Sequence, residues 1–451
     1  MDTPSPQRGE WSSKVGFILA AAGSAIGLGN IWRFPYVAGE NGGGAFLLLY
    51  IFFVVLIGLP YMFGELALGR SVQKNPVGAI EAIKPGSAWR FVGLLGVLTG
   101  VGILSFYGVI AGWTFGYIFK IAIGKTTGFG EFISNPYLVI FLFGVFMVIT
   151  TLIVHGGVEA GIERWSKILM PMFFILLIGL IVYANTLEGS AKGLTFYLKP
   201  DFSKINGSVA LAALGQAFFS LSLGMGLMIT YGSYVSKKDN LISSGIFVAL
   251  FDTIIAFFGG LIIFPALFAM NQNPDAGPTL VFVVFPKLFT QMPGGLLVGT
   301  LFFILLSVAA LTSTISLLEV PVAYMVDEKH SPRKKIVWAV AGFTFLIGIP
   351  SALSQGASDF FSNFGLFPER LSGADFLSHM SFVFGDFSLA FGALLLSIFV
   401  GWVWGVDKAS EEIEQGSPSF ANSKKFWGFM IKYFIPATIF IILLNLFGLF
   451  G

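Results

Sequence analysis

The stretch GSAIGLGNIWRFPY, residues 23–36, sets Ser24, Asn30 and Arg33 inside a segment otherwise apolar enough for a bilayer, and punctuates it with Gly23, Gly27, Gly29 and Pro35. A second stretch, AFFSLSLGMG at 217–226, repeats the pattern with Ser220, Ser222, Gly224 and Gly226. Glycine weakens a helix through backbone entropy and proline removes a donor. In hydrocarbon each unmet backbone group costs several kcal/mol. A break at mid-membrane therefore survives only where it lines a cavity whose contents replace the lost bonds. Freed carbonyls are hard oxygen donors suited to Na⁺, and the amides opening the next half-helix suit a carboxylate. The chemistry on offer is binding of a small cation beside an anionic group. The competing reading is a small-xxx-small packing face. Two such stretches, each with hydroxyl or amide side chains, favour the breaks.

Two further patterns fit the same purpose. In SVAALTSTISLLEVP (307–321), Ala309, Thr312, Ser313 and Ser316 recur at i, i+3, i+4 and i+7, giving one small, polar helix face. Such hydroxyls can also bond back to their own carbonyls. Asp252 stands alone in the apolar VALFDTIIAFFGG (248–260). An intramembrane carboxylate is costly and functional by default, unless it merely pairs with Arg33 or a lysine. A reactive set for a membrane enzyme is missing: no GxGD aspartyl pair and no GxSG with a span histidine occur. His155, His330 and His379 fall in expected loops or ends, and cysteine is absent, so no zinc or thiolate site is expected.

The elements that must position these residues follow from composition. The chain has 451 residues, 55% hydrophobic and 11% charged, where soluble domains carry about 25% charged residues. A polytopic, all-α integral membrane protein is predicted. The net charge of +2 gives no sign of nucleic-acid binding, and MDTPSPQRGEW lacks the shape of a cleavable signal. Apolar stretches lie near 12–36, 43–69, 92–120, 138–155, 166–184, 208–235, 240–270, 296–326, 335–353, 382–405 and 426–450, predicting eleven transmembrane helices. With the N-terminus cytoplasmic, most of the 26 basic residues, among them Lys14, Arg70, Lys84, Arg164, Lys237, Arg333 and Lys424, fall inside. The positive-inside rule thus predicts N-terminus in and C-terminus out. The two glycine-broken spans each open a five-span block, 12–184 and 208–405. Five is odd, so the second block enters the membrane from the opposite side, an inverted repeat typical of transporters. The stretch 426–450 stands outside both.

GSAIGLGNIWRFPY, ENGGGAF (40–46), AFFSLSLGMG and LTSTISLLE together resemble the neurotransmitter:sodium symporter family, also called solute carrier 6, and its bacterial amino-acid members above all. The likeness runs from Trp11 to about Ala409. It implies the LeuT fold: an inverted 5+5 repeat with helices 1 and 6 broken, moving substrate inward on the Na⁺ gradient by alternating access. It further implies two Na⁺ sites. The first would use the Ala25 carbonyl, the Asn30 amide, Ser220, Asp252 and the substrate carboxylate. The second would use carbonyls of Gly23, Ile26 and Ala309 with the hydroxyls of Thr312 and Ser313. Amides around Leu28 and Gly29 and the Tyr107 hydroxyl would hold the substrate carboxylate. Carbonyls of Ala25, Phe219 and Ser222 would face its amino group. Ile103, Phe219, Met225 and Leu317 would line the side-chain end, with Phe219 as a lid.

Departures from the family sharpen the expectation. Monoamine members place an aspartate where this chain has Gly27, which argues here for a zwitterionic amino acid. An apolar lining favours a hydrophobic side chain by about 25 cal/mol per Å² buried, and Met225 between two glycines suits aliphatic and aromatic substrates alike. The family usually has asparagine at Asp252, with chloride nearby in chloride-dependent members, whereas some chloride-independent relatives carry a glutamate where this chain has Ala256. Asp252 would supply that negative charge, so no chloride is expected. For the gates the resemblance implies Arg8, Trp11, Tyr234 and Asp327 inside and Arg33 outside. The acid usually facing Arg33 falls at Ser381, and neither Asp375 nor Asp386 aligns without a shift. Glu319 matches a family acid, read as a hydrogen-bond anchor. GIERWSKILMP (161–171) sets Gly161 before Pro171, either a plain kink or a point of unwinding that admits water to the second Na⁺ site. Many relatives have a twelfth helix; a monomer suffices for the core, with membrane lipid and a hydrophobic L-amino acid as the partners. A proton-coupled carrier of the same fold, with Asp252 titrating, and an ion channel are the alternatives.

Overall fold

The computed structural model describes residues 10–274, 280–329, 331–366 and 375–449, and among these no strand occurs. The first apolar stretch divides into α1 (Lys14–Ala25) and α2 (Gly29–Glu40), whose axes meet at 48°. Then follow α3 (Gly44–Val72), α4 (Arg90–Ala122), α5 (Pro136–His155) and α6 (Val158–Thr186). The second broken rod gives α7 (Gly207–Ser220) and α8 (Leu227–Gly232). The remainder are α9 (Leu241–Ala269), α10 (Gly295–Lys329), α11 (Arg333–Leu353), α12 (Phe376–Glu414) and α13 (Pro418–Leu446).

Nine described helices are long and apolar enough to cross a bilayer, and the α1–α2 pair makes ten. The expected eleven is reached only by joining α7, too short to cross alone, to α8 across its break. Helix starts are written in side chains. Ser13 caps α1 by accepting from the Gly16 amide, and Asn135, Asn206 and Asn240 cap α5, α7 and α9 in the same way. Short helices not foreseen in the sequence, such as Pro76–Ile83 and Ser190–Leu198, run in the connections.

Burial separates core from rim. The apolar window of α4 is 83% buried, whereas those of α6, α11 and α13 are 33% buried. The outer helices expose Ile175, Val182, Leu346 and Phe440, as a surface facing lipid tails requires. α10 packs against both α1 and α8, and α4 packs along α10, with Tyr107 of α4 reaching the Leu28 amide between α1 and α2.

Candidate functional site

The two breaks are built differently. At the first, Ile26 is extended (φ −73°, ψ 102°) and α2 opens with a π-helical turn at Gly29–Arg33. Asn30 spans the gap, its Oδ1 accepting from the Gly27 amide at 3.1 Å. At the second, Ser222, Gly224 and Gly226 have φ of 55°, 82° and 72°, a left-handed region that costs glycine little. A Cβ at Gly224 would also sit 2.5 Å from the Leu389 carbonyl oxygen, because α12 packs directly on the break. The Gly224 amide donates to Glu65 Oε1 of α3 at 3.0 Å.

Between the breaks lies a tight cavity with about 30 Å³ of free space, room for only a water molecule or two. It is lined by Ala25, Gly27, Gly29, Ile103, Tyr107, Phe219, Ser220, Ser222, Met225 and Leu317, together with Ser24, Leu227, Ser313 and Ser316. The Leu28 amide donates to the Tyr107 hydroxyl at 2.9 Å. A Cβ on Gly27 would lie 2.5 Å from Ser313 Oγ and 2.8 Å from Tyr107 Oη, so a side chain there would take up the space.

Two oxygen-rich clusters flank the cavity. In the first, Asn30 Nδ2 donates to Asp252 Oδ1 at 2.7 Å and to Ser220 Oγ at 3.1 Å, and Ser220 Oγ donates to both Asp252 oxygens at 2.8 Å. Tyr50 of α3 completes it, donating to Asp252 Oδ2 at 2.9 Å. Asp252 is fully buried and is held by this polar set rather than by Arg33. In the second, Thr312 Oγ1 donates to the carbonyls of Ala309 at 2.9 Å and Ile26 at 3.3 Å, and Ser313 Oγ donates to the Ser24 carbonyl at 3.2 Å. Gly23 faces Thr312 across α1, where a Cβ would lie 3.5 Å from the threonine Cβ. Ser24 Oγ donates to Ser316 Oγ at 2.7 Å.

Both ends of the cavity are covered. Above Phe219, the Arg33 guanidinium stacks 4.4 Å from its ring centroid and pairs with Asp386 at 3.3 Å. The acid expected at the Ser381 position is therefore Asp386, and the shift has a physical cause. Ser381–Phe387 is a π-helical turn, whose wider winding turns residues off the face that α-helical spacing predicts. At the other end Trp11 donates through Nε1 to the Tyr231 carbonyl at 3.1 Å and packs edge-on to Tyr231 and Tyr234. Tyr234 donates to Glu319 at 2.7 Å, and Arg333 pairs with the same acid at 2.5 Å. Asp327 accepts from the Asn75 amide at 2.9 Å. Arg8 lies outside the described residues.

A model of the sodium:neurotransmitter symporter family matches residues 8–127 and 130–449. The chain belongs to that family. It is 40% identical over 449 residues to an uncharacterized sodium-dependent transporter of Bacillus subtilis, YhdH, covering 98% of each chain. It is 28% identical to the sodium-dependent serotonin transporter of Drosophila melanogaster over 98% of its own length and 77% of that protein's. Among solved structures it is similar to MhsT in complex with L-phenylalanine: TM-score 0.87, 44% identity, covering 97% of this chain and 100% of that one. The symporter is therefore a multi-pass membrane protein of the LeuT fold that performs sodium-dependent transport and is not an enzyme.

Sequence reasoning missed three polar residues of the symporter's interior. Tyr50 carries a phenol in an apolar run, and a buried phenol needs a partner. Glu65 is a lone acid in its span, which the rule that singled out Asp252 also marks. Gln216 donates to the Gly29 carbonyl at 3.0 Å and so ties one broken rod to the other.

Proposed function

We propose that this protein imports hydrophobic L-amino acids, aliphatic and aromatic, together with two Na⁺ ions across a bacterial plasma membrane, independently of chloride. The observation that carries this reading is a cavity that touches both helix breaks, lined by Ser24, Gly27, Gly29, Ser220 and Ser222 together with the apolar Ile103, Phe219, Met225 and Leu317. The relative solved with L-phenylalanine supports an amino-acid substrate.

Each group then has a task. The Asn30–Ser220–Asp252 cluster and the Ala25 carbonyl are all-oxygen donors of the kind a hard cation takes, and the substrate carboxylate completes that site. Asn30 turns its oxygen toward the ion. Ile26, Ala309, Thr312 and Ser313, joined by Gly23, hold the second ion; their hydroxyls rest on the carbonyls in the meantime. Tyr107 releases the Leu28 amide, so both can donate to the carboxylate. Carbonyls of Ala25, Phe219 and Ser222 take the ammonium, with no fixed acid at Gly27. A charged side chain at the apolar end would be stranded. Na⁺ and carboxylate bind together because each lowers the other's cost of dehydration.

Alternating access follows from moving the two covers out of step. Phe219 with the Arg33–Asp386 pair forms the outer cover; Trp11, Tyr234, Glu319 and Asp327, with Arg8, form the inner one. The breaks serve as hinges within the repeats 12–184 and 208–405. The N-terminus is cytoplasmic and the C-terminus outside, following the basic residues. Displacement of radiolabelled L-leucine by a panel of amino acids, with Na⁺ present or absent and chloride or gluconate as anion, tests the reading. Aliphatic and aromatic L-amino acids should compete, charged ones should not, and gluconate should change nothing. Competition by one amino acid alone, or loss of binding in gluconate, refutes breadth or chloride independence respectively.

A further inference from the structure

Glu163 is an acid that the transport cycle above leaves without a task. It ends the π-helical turn Val158–Glu163 at the start of α6, and it is 1% exposed. Its carboxylate gathers four donors, and three come from the N-terminal end of the first broken rod: the Ser12 amide at 2.7 Å, the Ser12 hydroxyl at 2.6 Å and the Ser13 hydroxyl at 2.9 Å. The fourth is Lys167, one turn along α6, at 2.7 Å. The same Ser13 hydroxyl caps α1 through the Gly16 amide at 3.0 Å. Gly16 itself faces the acid, and a Cβ built on it would overlap the Glu163 carboxylate.

This arrangement has a direction. The seam between α1 and α6 continues seven residues along each helix, where a Cβ on Gly23 would lie 3.3 Å from Met170 Sδ. Gly23 borders Thr312 of the second oxygen cluster. Parting of α1 from α6 at Glu163 therefore opens toward that cluster. A buried carboxylate stays buried only while donors compensate its lost hydration. When α1 leaves, three of the four donors leave with it, and the acid must turn to water. The side chain and the helix move together or not at all.

We infer that Glu163, seated against Gly16 and bonded to Ser12 and Ser13, is the latch that holds the inner half-helix α1 closed on α6, so that inward opening requires release of this carboxylate. The inference rests on the alternating-access reading above and adds a positioning residue to it. Gly16 is glycine because the latch needs its surface, not because α1 needs flexibility.

The test uses the full chain, which has no cysteine. S166C places one thiol at a buried position one turn beyond Glu163 on the same face of α6. The readout is the rate at which a charged maleimide modifies it in purified protein. E163Q and G16A are each expected to raise that rate at least about threefold, and S12A/S13A to raise it less. The sign for G16A is diagnostic, since alanine is the better helix former. Firmer helix alone would slow labelling; a displaced latch speeds it. Rates in E163Q and G16A at or below that of S166C alone overturn the inference. Should either buried variant fail to fold, S12A/S13A, which removes two hydroxyls near the surface, decides by the same criterion. Na⁺-dependent binding of L-leucine to S166C is measured alongside. Its absence would refute the transport reading, whereas labelling reports the latch without any substrate.

Discussion

Asp252→Asn removes one charge while keeping nearly the same shape, and the structure says what that does. The carboxylate accepts from Asn30 at 2.7 Å, Ser220 at 2.8 Å and Tyr50 at 2.9 Å. An asparagine keeps one acceptor oxygen and turns an NH₂ toward one of these donors. If its oxygen serves Tyr50 and Ser220, its amide meets Asn30 Nδ2, and Asn30 must flip, giving up the Gly27 amide. Loss of the charge also removes an attraction to Na⁺ of about 4 kcal/mol for a pair 4 Å apart at an effective dielectric of about 20. Relaxation of nearby dipoles returns part of this, leaving about 3 kcal/mol, or roughly a hundredfold in Na⁺ affinity. The assay is binding of radiolabelled L-leucine to purified protein over a Na⁺ titration, in gluconate and in chloride. The variant is expected to need roughly a hundredfold more Na⁺ in gluconate and to recover at least tenfold in chloride, while the parent ignores the anion. A variant whose Na⁺ titration matches the parent's in both anions would show that Asp252 is a structural acid and that the reasoning is wrong.

Other substitutions probe the rest of the site. Tyr107→Phe leaves the Leu28 amide buried without its acceptor and deletes a donor to the substrate carboxylate. Hydrogen bonds to charged groups contribute about 1.5–3 kcal/mol, so L-leucine affinity should drop at least tenfold with the Na⁺ titration less affected. Gly27→Ala puts a methyl 2.5 Å from Ser313 Oγ, and equilibrium binding should show loss of large aromatic substrates before small aliphatic ones. Thr312→Ala removes a hydroxyl from the second cluster; the Na⁺ dependence of uptake should shift to higher concentration and lose steepness, which flux measurements at graded Na⁺ would read.

Much of this protein is legible in its sequence because a bilayer enforces simple rules. Stretches such as 43–69 and 240–270 read as spans from apolar length alone, and the observed helices Gly44–Val72 and Leu241–Ala269 overlap them closely. The breaks are legible because Gly27, Gly29, Gly224 and Gly226 cluster in two stretches that each also carry hydroxyl or amide side chains, which a plain helix packing face does not need. What hydropathy could not convey was winding. The pairing of Arg33 with Asp386 depends on the π-helical turn Ser381–Phe387, and counting at 100° per residue lands on the wrong face. Nor does periodicity distinguish a phenol that packs from one that donates, which is why Tyr50 went unseen. Glu163 is hidden differently: Gly161 and Pro171 speak only for the backbone of α6, while the acid between them reaches across to Ser12 and Ser13.

The most direct measurement is uptake of radiolabelled L-leucine into proteoliposomes with a Na⁺ gradient or a proton gradient imposed separately. The account predicts concentrative uptake driven by inward Na⁺ alone, undiminished when gluconate replaces chloride. Accumulation driven by the proton gradient with Na⁺ absent would contradict it.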